Sequence, residues 1–375
     1  MDKIKIPFFT LSRQYENHKN EFLEITNAIF TTGDVLQGKE VTLLEEDVAN
    51  LCNRKYGIAV GSCTDALTFS LMANNIKHND EVLITSISFF ASVSAILRVG
   101  AIPCFVDVED KYYMMDIDKL EHLITSKTKA ILAVPLFGQT LPMKKIEDFA
   151  RKYNLILIED AAQAIGSFDN NRPAGNMGIC SCLSFDPTKV IGSFSSAGMC
   201  VTNDQELAKK IKTLRYHGKN FDLGTFDDLG FNSQLPTVMA GMLRFKISKI
   251  KEWQESRTKI ATYYLEHLSD INEVILPQIR EGSTHNWHKF VIRTSRRNEL
   301  SSFLKELNIE TRIHYPRALY EEPLISKYKI NIDRSYFPNS VRLVNEFLSL
   351  PIFTEMTLDE CKAVVKNIRK FFNKK

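Results

Sequence analysis

From about residue 57 to residue 202 the chain alternates short apolar runs with stretches whose apolar positions recur at helical spacing. The runs GIAV (57–60), EVLIT (81–85), AIPCFVDV (101–108), KAILAVPLF (129–137) and NLILIED (154–160) read as strands. Between them TDALTFSLMANN (64–75), SFFASVSAILRVG (88–100) and MKKIEDFARKYN (143–154) read as helices. Strand, helix and strand in series predict right-handed βαβ units and a mostly parallel sheet. Runs such as LILIE are apolar almost throughout, as strands covered on both faces are. Two more apolar runs, ICSCLSF (179–185) and MCVTND (199–204), complete this part.

After Asp204 the pattern changes. A helix, QELAKKIKTLRYHGK (205–219), leads into the Gly- and Asp-rich NFDLGTFDDLGFN (220–232). The amphipathic run at 237–268 predicts one long helix or two abutting ones. The stretch ILPQIREGSTHN (275–286) reads as a linker. The strands WHKFVIRT, IETRIHY and LSLPIF follow, with the helices NELSSFLKELN and LDECKAVVKNIRKFF. The fold class expected is therefore α/β. A large mostly parallel-sheet domain covers 1–245, and a smaller α+β domain with a long connecting helix covers 246–375. Residues 1–15 are expected against the small domain.

Composition adds constraints. The 375 residues are 44% hydrophobic and 25% charged, so an ordinary globular core is within reach. A net charge of +3 argues against nucleic acid or an anionic membrane as partner. Seven cysteines scattered through apolar runs suit a reducing compartment rather than a disulfide framework. Cys180 and Cys182 share a strand face but have no companions at metal-ligand spacing, so no metal is expected. The opening MDKIKIPFFTLSRQYEN has no apolar signal region and no run reaches membrane-spanning length. A cytoplasmic protein is the expectation.

Ligands of such sheets bind beyond the carboxyl ends of the strands. Lys189, in SFDPTKVIGSF, lies between two buried strands. Burial strips its hydration, pushes its pKa down and makes the amine a nucleophile for a carbonyl, although a lysine in a loop can also simply reach solvent. At Gly61-Ser62-Cys63-Thr64-Asp65 a strand end meets a helix start. Free N–H groups there suit a phosphate, and equally a plain N-cap. Asp160 follows an apolar strand and needs a cation. Ala161 and Ala162 leave room for a flat ligand, Gln163 offers an amide, Phe89 an aromatic wall or core packing, and Ser184 a further hydroxyl. Together these describe pyridoxal phosphate, with a lysine for the Schiff base and an acid for the pyridinium nitrogen.

The chain resembles the DegT/DnrJ/EryC1/StrS family of fold-type I sugar aminotransferases almost end to end. GSCTDAL resembles the family's GSGTDAL, EDAAQAIGS its EDAAQAHG, SFDPTK its SF-x-P-x-K, LRYHG its LRNHG, and GFNSQL its GYNSRL. IHYP and LSLPIF match its C-terminal motifs. The resemblance implies that Lys189 forms the Schiff base and shuttles the proton. It implies that Asp160 holds the ring nitrogen protonated, Gln163 bonds the ring hydroxyl oxygen and Phe89 stacks on the ring. Ser62, Cys63, Thr64 and Ser184 would surround the phosphate, and Asn232 would reach the cofactor phosphate of a neighbouring subunit in a homodimer with shared sites. It further implies L-glutamate as donor, yielding 2-oxoglutarate, and a keto sugar, typically nucleotide-linked, as acceptor for surface polysaccharide or glycoconjugate synthesis. His217, His314 and Tyr315 sit in family motifs and are candidates for substrate contact.

The chain departs from the family at Cys63, for glycine or alanine, at Asp186, for an aromatic or histidine, and at Gln234 and Pro236, for arginine and aspartate. It departs again at Ser195-Ser196-Ala197-Gly198, a loop next to the expected substrate, where Ser195 and Ser196 become candidate contacts. These changes leave the cofactor chemistry intact and bear on the acceptor, so a small keto-polyol or its phosphate is an alternative. A cofactor-binding regulatory protein without turnover is the reading from a different class. Sugar-dehydrating relatives carry histidine at the lysine position, and Lys189 favours transamination.

Overall fold

The computed structural model describes residues 5–328, 330 and 332–373. Helices α1 (Ser12–Asn17), α2 (Lys19–Thr32) and α3 (Lys39–Leu51) precede the first strand, β1 (Tyr56–Val60). Then α4 (Cys63–Ala73), β2 (Glu81–Thr85), α5 (Phe90–Arg98), β3 (Ile102–Val106), β4 (Thr128–Ala133), α6 (Met143–Lys152) and β5 (Ile156–Asp160) alternate as the pattern predicts. A two-residue pair, β6 (Phe168–Asp169) and β7 (Arg172–Pro173), leads to β8 (Cys180–Ser184), β9 (Gly198–Thr202) and α7 (Gln205–Arg215).

Among the described residues the main sheet has seven strands in the order β1-β9-β8-β5-β4-β2-β3. Every strand runs the same way except β9, which is antiparallel to both neighbours. This one reversal sets the site. Val60 at the end of β1 and Ser184 at the end of β8 both lie opposite Gly198 at the start of β9. The loop from β8 to β9, which carries Lys189, therefore stays at the carboxyl edge of the sheet instead of crossing a face.

Buried charge ties the sheet to its helices. Arg215, at the end of α7, donates to Glu45 of α3 at 2.6 Å and to the Ala59 carbonyl of β1 at 2.8 Å. Glu45 also accepts from Ala59 N–H. Glu159 faces away from Asp160, as strand alternation requires, and accepts from Gly175, Met177 and Ser181. Burial nevertheless pushes its pKa to about 7.

The amphipathic run resolves into α8 (Thr237–Ser248) and α9 (Ile250–Leu268). The remaining elements are β10 (Phe290–Arg293), α10 (Arg297–Glu306), the short α11 (Pro323–Lys327), α12 (Pro338–Glu346), β11 (Phe347–Leu350) and α13 (Leu358–Phe371). β10 and β11 pair antiparallel. IETRIHY is not a strand. It makes only single bridges, Ile309 to Ile6 and Arg312 to Ser349, because its backbone leaves β11 to carry His314 and Tyr315 toward the large sheet. A second core gathers residues of α9, α10, β10, β11 and α13, together with Ile6 from the N-terminal strap. Ala318, Leu319, Phe337 and Leu343 instead pack into the large-sheet core. The Asp107 carboxylate holds this segment by accepting from the backbone N–H groups of Asn339 and Ser340.

Candidate active site

A cavity of about 550 Å³ opens at the carboxyl edge of the sheet. Its lining includes Ser62, Cys63, Thr64, Phe89, Asp160, Gln163, Ser184, Lys189, Ser196, His314 and Tyr315, from well-separated stretches of sequence. A larger hollow of about 1270 Å³, bordered by α4, α7 and the 220–231 loop, contains none of these residues.

The floor is the turn from β1 into α4. Ser62 is the N-cap: its Oγ accepts from Asp65 N–H at 3.1 Å and its carbonyl from Ala66 N–H. The first N–H groups of a helix have no partner within it, so those of Cys63 and Thr64 are left for a ligand, with the helix dipole behind them. Ser184 lies one strand-end away, buried, its Oγ accepting from Asp186 N–H at 3.3 Å. Burial raises the Cys63 thiol well above its ordinary pKa, so it is a neutral wall and not a competing nucleophile.

Gly198 makes this floor possible. A Cβ on it would stand 2.4 Å from Cys63 N and 2.4 Å from the Ser62 carbonyl carbon. Those are backbone atoms and cannot swing aside. Gly198→Ala should displace the turn, at an overpacking cost of about 1–3 kcal/mol. The expected result is a lower thermal midpoint and a pyridoxal phosphate Kd raised roughly tenfold or more by fluorescence titration. An unchanged Kd would show that the floor is not an anion cradle.

One wall is Asp160. Its Oδ2 accepts from Ser92 Oγ at 2.6 Å and its Oδ1 from Ala162 N–H at 3.3 Å. It forms no ion pair among the described residues. Burial raises its pKa, opposed by the Ser92 hydrogen bond, the Lys189 charge and the Ala162 N–H. A buried carboxylate without a cation fits a ligand that brings one. Gln163 is held at both ends, its Oε1 accepting from Phe137 N–H at 2.9 Å and its Nε2 donating to the Tyr315 hydroxyl at 3.1 Å. Phe89 is the N-cap residue of α5, 57% exposed, with its ring 6.3 Å from that of Tyr315. It is an open wall of the cavity and not core.

Lys189 completes the set. Burial lowers its pKa, against the nearby Cys63, Asp160 and Asp186. Its Nζ makes no hydrogen bond or ion pair among the described residues, and the accessible surface it retains belongs to a residue lining the cavity. The amine is thus free for a carbonyl.

Three predicted residues lie elsewhere. Ser195 is exposed beyond the rim, with its N–H donating to Ser193, while Ser196 and Ala197 line the cavity. His217 is exposed after α7, in the left-handed region at φ 58°, and its ring packs on Tyr216. Asn232 bridges to Tyr216 and accepts from Gln234 at 3.0 Å, on the outer surface. His217 and Ser195 therefore do not line the cavity of their own chain. The departure at Gln234 is taken up by Asn232 and Gln37.

The structure adds Phe8, Ser92, His288, Lys289 and Arg312 to the lining. His314 bonds Ser349 at 2.9 Å, and burial, with the charges of Lys289, Lys189 and Arg312, lowers its pKa to about 3. Lys289 sits in an apolar strand-like run, the same signal that singled out Lys189. Arg312 and Phe8 carry no such signal, because only the tertiary fold brings the segment after α10 and the N-terminal strap here.

One reversed strand within an otherwise parallel sheet, with a buried lysine, a buried carboxylate and an open helix N-terminus at one edge, defines a fold-type I aminotransferase. The chain belongs to the DegT/DnrJ/EryC1/StrS aminotransferase family, whose model matches residues 16–369. It is 35% identical over 371 residues to a "Pleiotropic regulatory protein" of Geobacillus stearothermophilus, covering 98% of this chain and 99% of that one. It is also 35% identical over 368 residues to dTDP-3-amino-3,6-dideoxy-alpha-D-galactopyranose transaminase of Aneurinibacillus thermoaerophilus, with the same coverage of each. Among solved structures, S. venezuelae DesV in complex with a ketimine intermediate superposes with a TM-score of 0.95 at 30% identity, covering 99% of both chains. The family's cofactor is pyridoxal phosphate, and the cavity fits it: the charge Asp160 lacks, the anion Cys63 and Thr64 await and the carbonyl Lys189 needs are all on that molecule. No group of His, Cys, Asp and Glu among the described residues could hold a metal ion, and none of their helices is long and apolar enough to cross a membrane.

Proposed function

We propose that the protein transfers an amino group from L-glutamate to a keto sugar, nucleotide-linked, with the two half-reactions sharing one cavity. The observation that carries this reading is Lys189, an amine of lowered pKa that lines the same cavity as the buried Asp160, neither of them in an ion pair among the described residues. The cofactor, when bound, supplies the carbonyl and the electron sink. Lys189 holds it and then moves the proton at the reacting carbon. Asp160, fixed by Ser92, keeps the ring nitrogen protonated. Gln163 directs its amide at the ring oxygen, with Tyr315 behind it. Phe89 covers the ring face, and Ser62, Cys63, Thr64 and Ser184 hold the phosphate.

A homodimer belongs to the same reading. The 220–232 segment exposes Phe221, Leu223, Phe226, Leu229 and Phe231, a set of apolar side chains suited to a second copy. Asn232 lies on this outer face, where a neighbour's phosphate site could meet it. The large domain is taken as 1–245 and the small one as 246–375. A role in surface polysaccharide or glycoconjugate synthesis in the cytoplasm follows from the substrate class proposed.

The purified protein should show a visible absorbance that L-glutamate bleaches with formation of 2-oxoglutarate. The bleached form, given a panel of nucleotide keto sugars, should yield amino sugars by mass spectrometry. Amination of small keto-polyols alone would replace the nucleotide-sugar reading. Absence of any glutamate half-reaction would favour a regulatory protein, the function named in the Geobacillus relative.

A further inference from the structure

Lys289 directly precedes β10, is 8% exposed and lines the cavity that holds Lys189. Among the described residues its Nζ makes no hydrogen bond and no ion pair, and it lies 5.1 Å from the centre of the Phe8 ring. The other deeply buried lysine, Lys246, is treated differently. It donates to the Gly192 carbonyl at 2.5 Å and lies over the Phe194 ring at 4.0 Å. The fold thus satisfies one buried lysine and leaves the other open toward the cavity. An unpaired buried ammonium is costly unless something brings the anion. Burial, with the charges of Lys189 and Arg257, holds the Lys289 ammonium well below its ordinary pKa; the Asp186 carboxylate in the same cavity opposes this without pairing with it, and an arriving carboxylate would restore the charge. His288 and His314 bring no comparable charge, because burial lowers the pKa of both. Arg312 also lines the cavity and forms no ion pair among the described residues, but it is exposed.

We propose that Lys289 binds a carboxylate of the amino donor, and that Arg312 at the mouth receives the second carboxylate of a dicarboxylic donor. This rests on the aminotransferase reading above. An α-amino acid carries a carboxylate on its reacting carbon, so the cation that holds it must share the buried part of the cavity with Lys189. Lys289 does, and Arg312 does not. An ammonium has three rotatable donors and imposes no planar geometry, so the same group can meet sugar hydroxyls in the second half-reaction.

The test uses cofactor-loaded protein and the variants Lys289→Met, Lys289→Gln and Lys289→Arg. Glutarate binding is measured by calorimetry, and the glutamate half-reaction by loss of visible absorbance. Met and Gln should raise the glutarate Kd and the half-saturating glutamate concentration roughly 10- to 100-fold, the range for losing a hydrogen bond to a charged group. The limiting rate should change far less. Arg should keep glutarate binding within a few-fold. Arg312→Gln should weaken glutamate but leave L-alanine, a monocarboxylic donor, unaffected. Wild-type glutarate affinity in Met and Gln overturns the proposal. Equal loss in all three Lys289 variants marks a packing role and also overturns it. If only the binding of a nucleotide-linked uronate depends on Lys289, the carboxylate belongs to the acceptor and the donor assignment is wrong. A wild-type protein that binds glutarate through Lys289 yet is not bleached by glutamate would defeat the aminotransferase reading and leave the carboxylate site standing.

Discussion

Lys189→Ala should lose both the visible absorbance and turnover. In the proposed mechanism the amine is the nucleophile for the cofactor carbonyl and the group that moves the proton afterwards, so one substitution would remove two steps. Loss of a positioned acid–base group alone slows a reaction about 10²- to 10⁴-fold. We expect transamination to fall by roughly a thousandfold or more on that scale. Borohydride reduction of the wild type followed by peptide mass spectrometry should place the modified lysine in SFDPTKVIGSF. The folded variant should still bind the phosphate end, because Ser62, Cys63, Thr64 and Ser184 are untouched. The cavity contains a second open lysine, and this sharpens the test. A variant that keeps the full absorbance and turnover, with reduction now modifying Lys289, would move the chemistry to that residue.

Asp160→Asn should separate stability from function. Its carboxylate is buried, accepts from Ser92 and Ala162 and forms no ion pair among the described residues, with Lys189 the nearby charge. Its pKa is raised by burial, so the folded state binds the proton more tightly than the unfolded one. The cofactor-free protein therefore loses stability as pH rises from the ordinary carboxyl pKa through the raised one, and that cost persists at neutral pH. Asparagine removes the charge and keeps the shape, and Ser92 can still donate to its oxygen. The cofactor-free variant should melt higher than wild type at neutral pH and show a flatter dependence of melting on pH in the acid range. The glutamate half-reaction should slow roughly 10²- to 10³-fold, the effect of removing one preorganised electrostatic partner from a closed site. A lower melting point together with an unchanged rate would mean that Asp160 is a structural cap and that the ring nitrogen finds its charge elsewhere.

Both results depend on a site that uses local rules in an unusual combination. Ser62 caps a helix in the ordinary way, yet the next two N–H groups are left for a ligand. Glycine at position 198 follows from close approach and not from backbone freedom, since the added Cβ would meet the α4 turn. Of the four residues in the altered loop, Gly198 serves packing, Ser195 faces out, and Ser196 and Ala197 line the cavity. Differences in substrate choice that arise from this loop should therefore concentrate at Ser196 and Ala197.

The sequence by itself determined the alternation of strands and helices through residue 202, because buried parallel strands are apolar runs and their helices repeat at 3.6 residues. It also determined Lys189, Asp160 and the Ser62 turn, each a local anomaly: a charge in an apolar run, or a cap at a strand end. Phe89 was legible as an aromatic at a strand end, but only burial separates an open wall from core. The tertiary structure alone decided the reversed direction of β9, which keeps the lysine loop at the carboxyl edge. It alone put Lys289 and Arg312 opposite Lys189 and left His217, Asn232 and Ser195 outside. The physical reason is range. Periodicity and capping report a residue's neighbours along the chain, whereas these placements depend on pairings between segments far apart in the sequence, such as Ile6 with Ile309 or Gln163 with Tyr315. No local signal in one segment specifies the other.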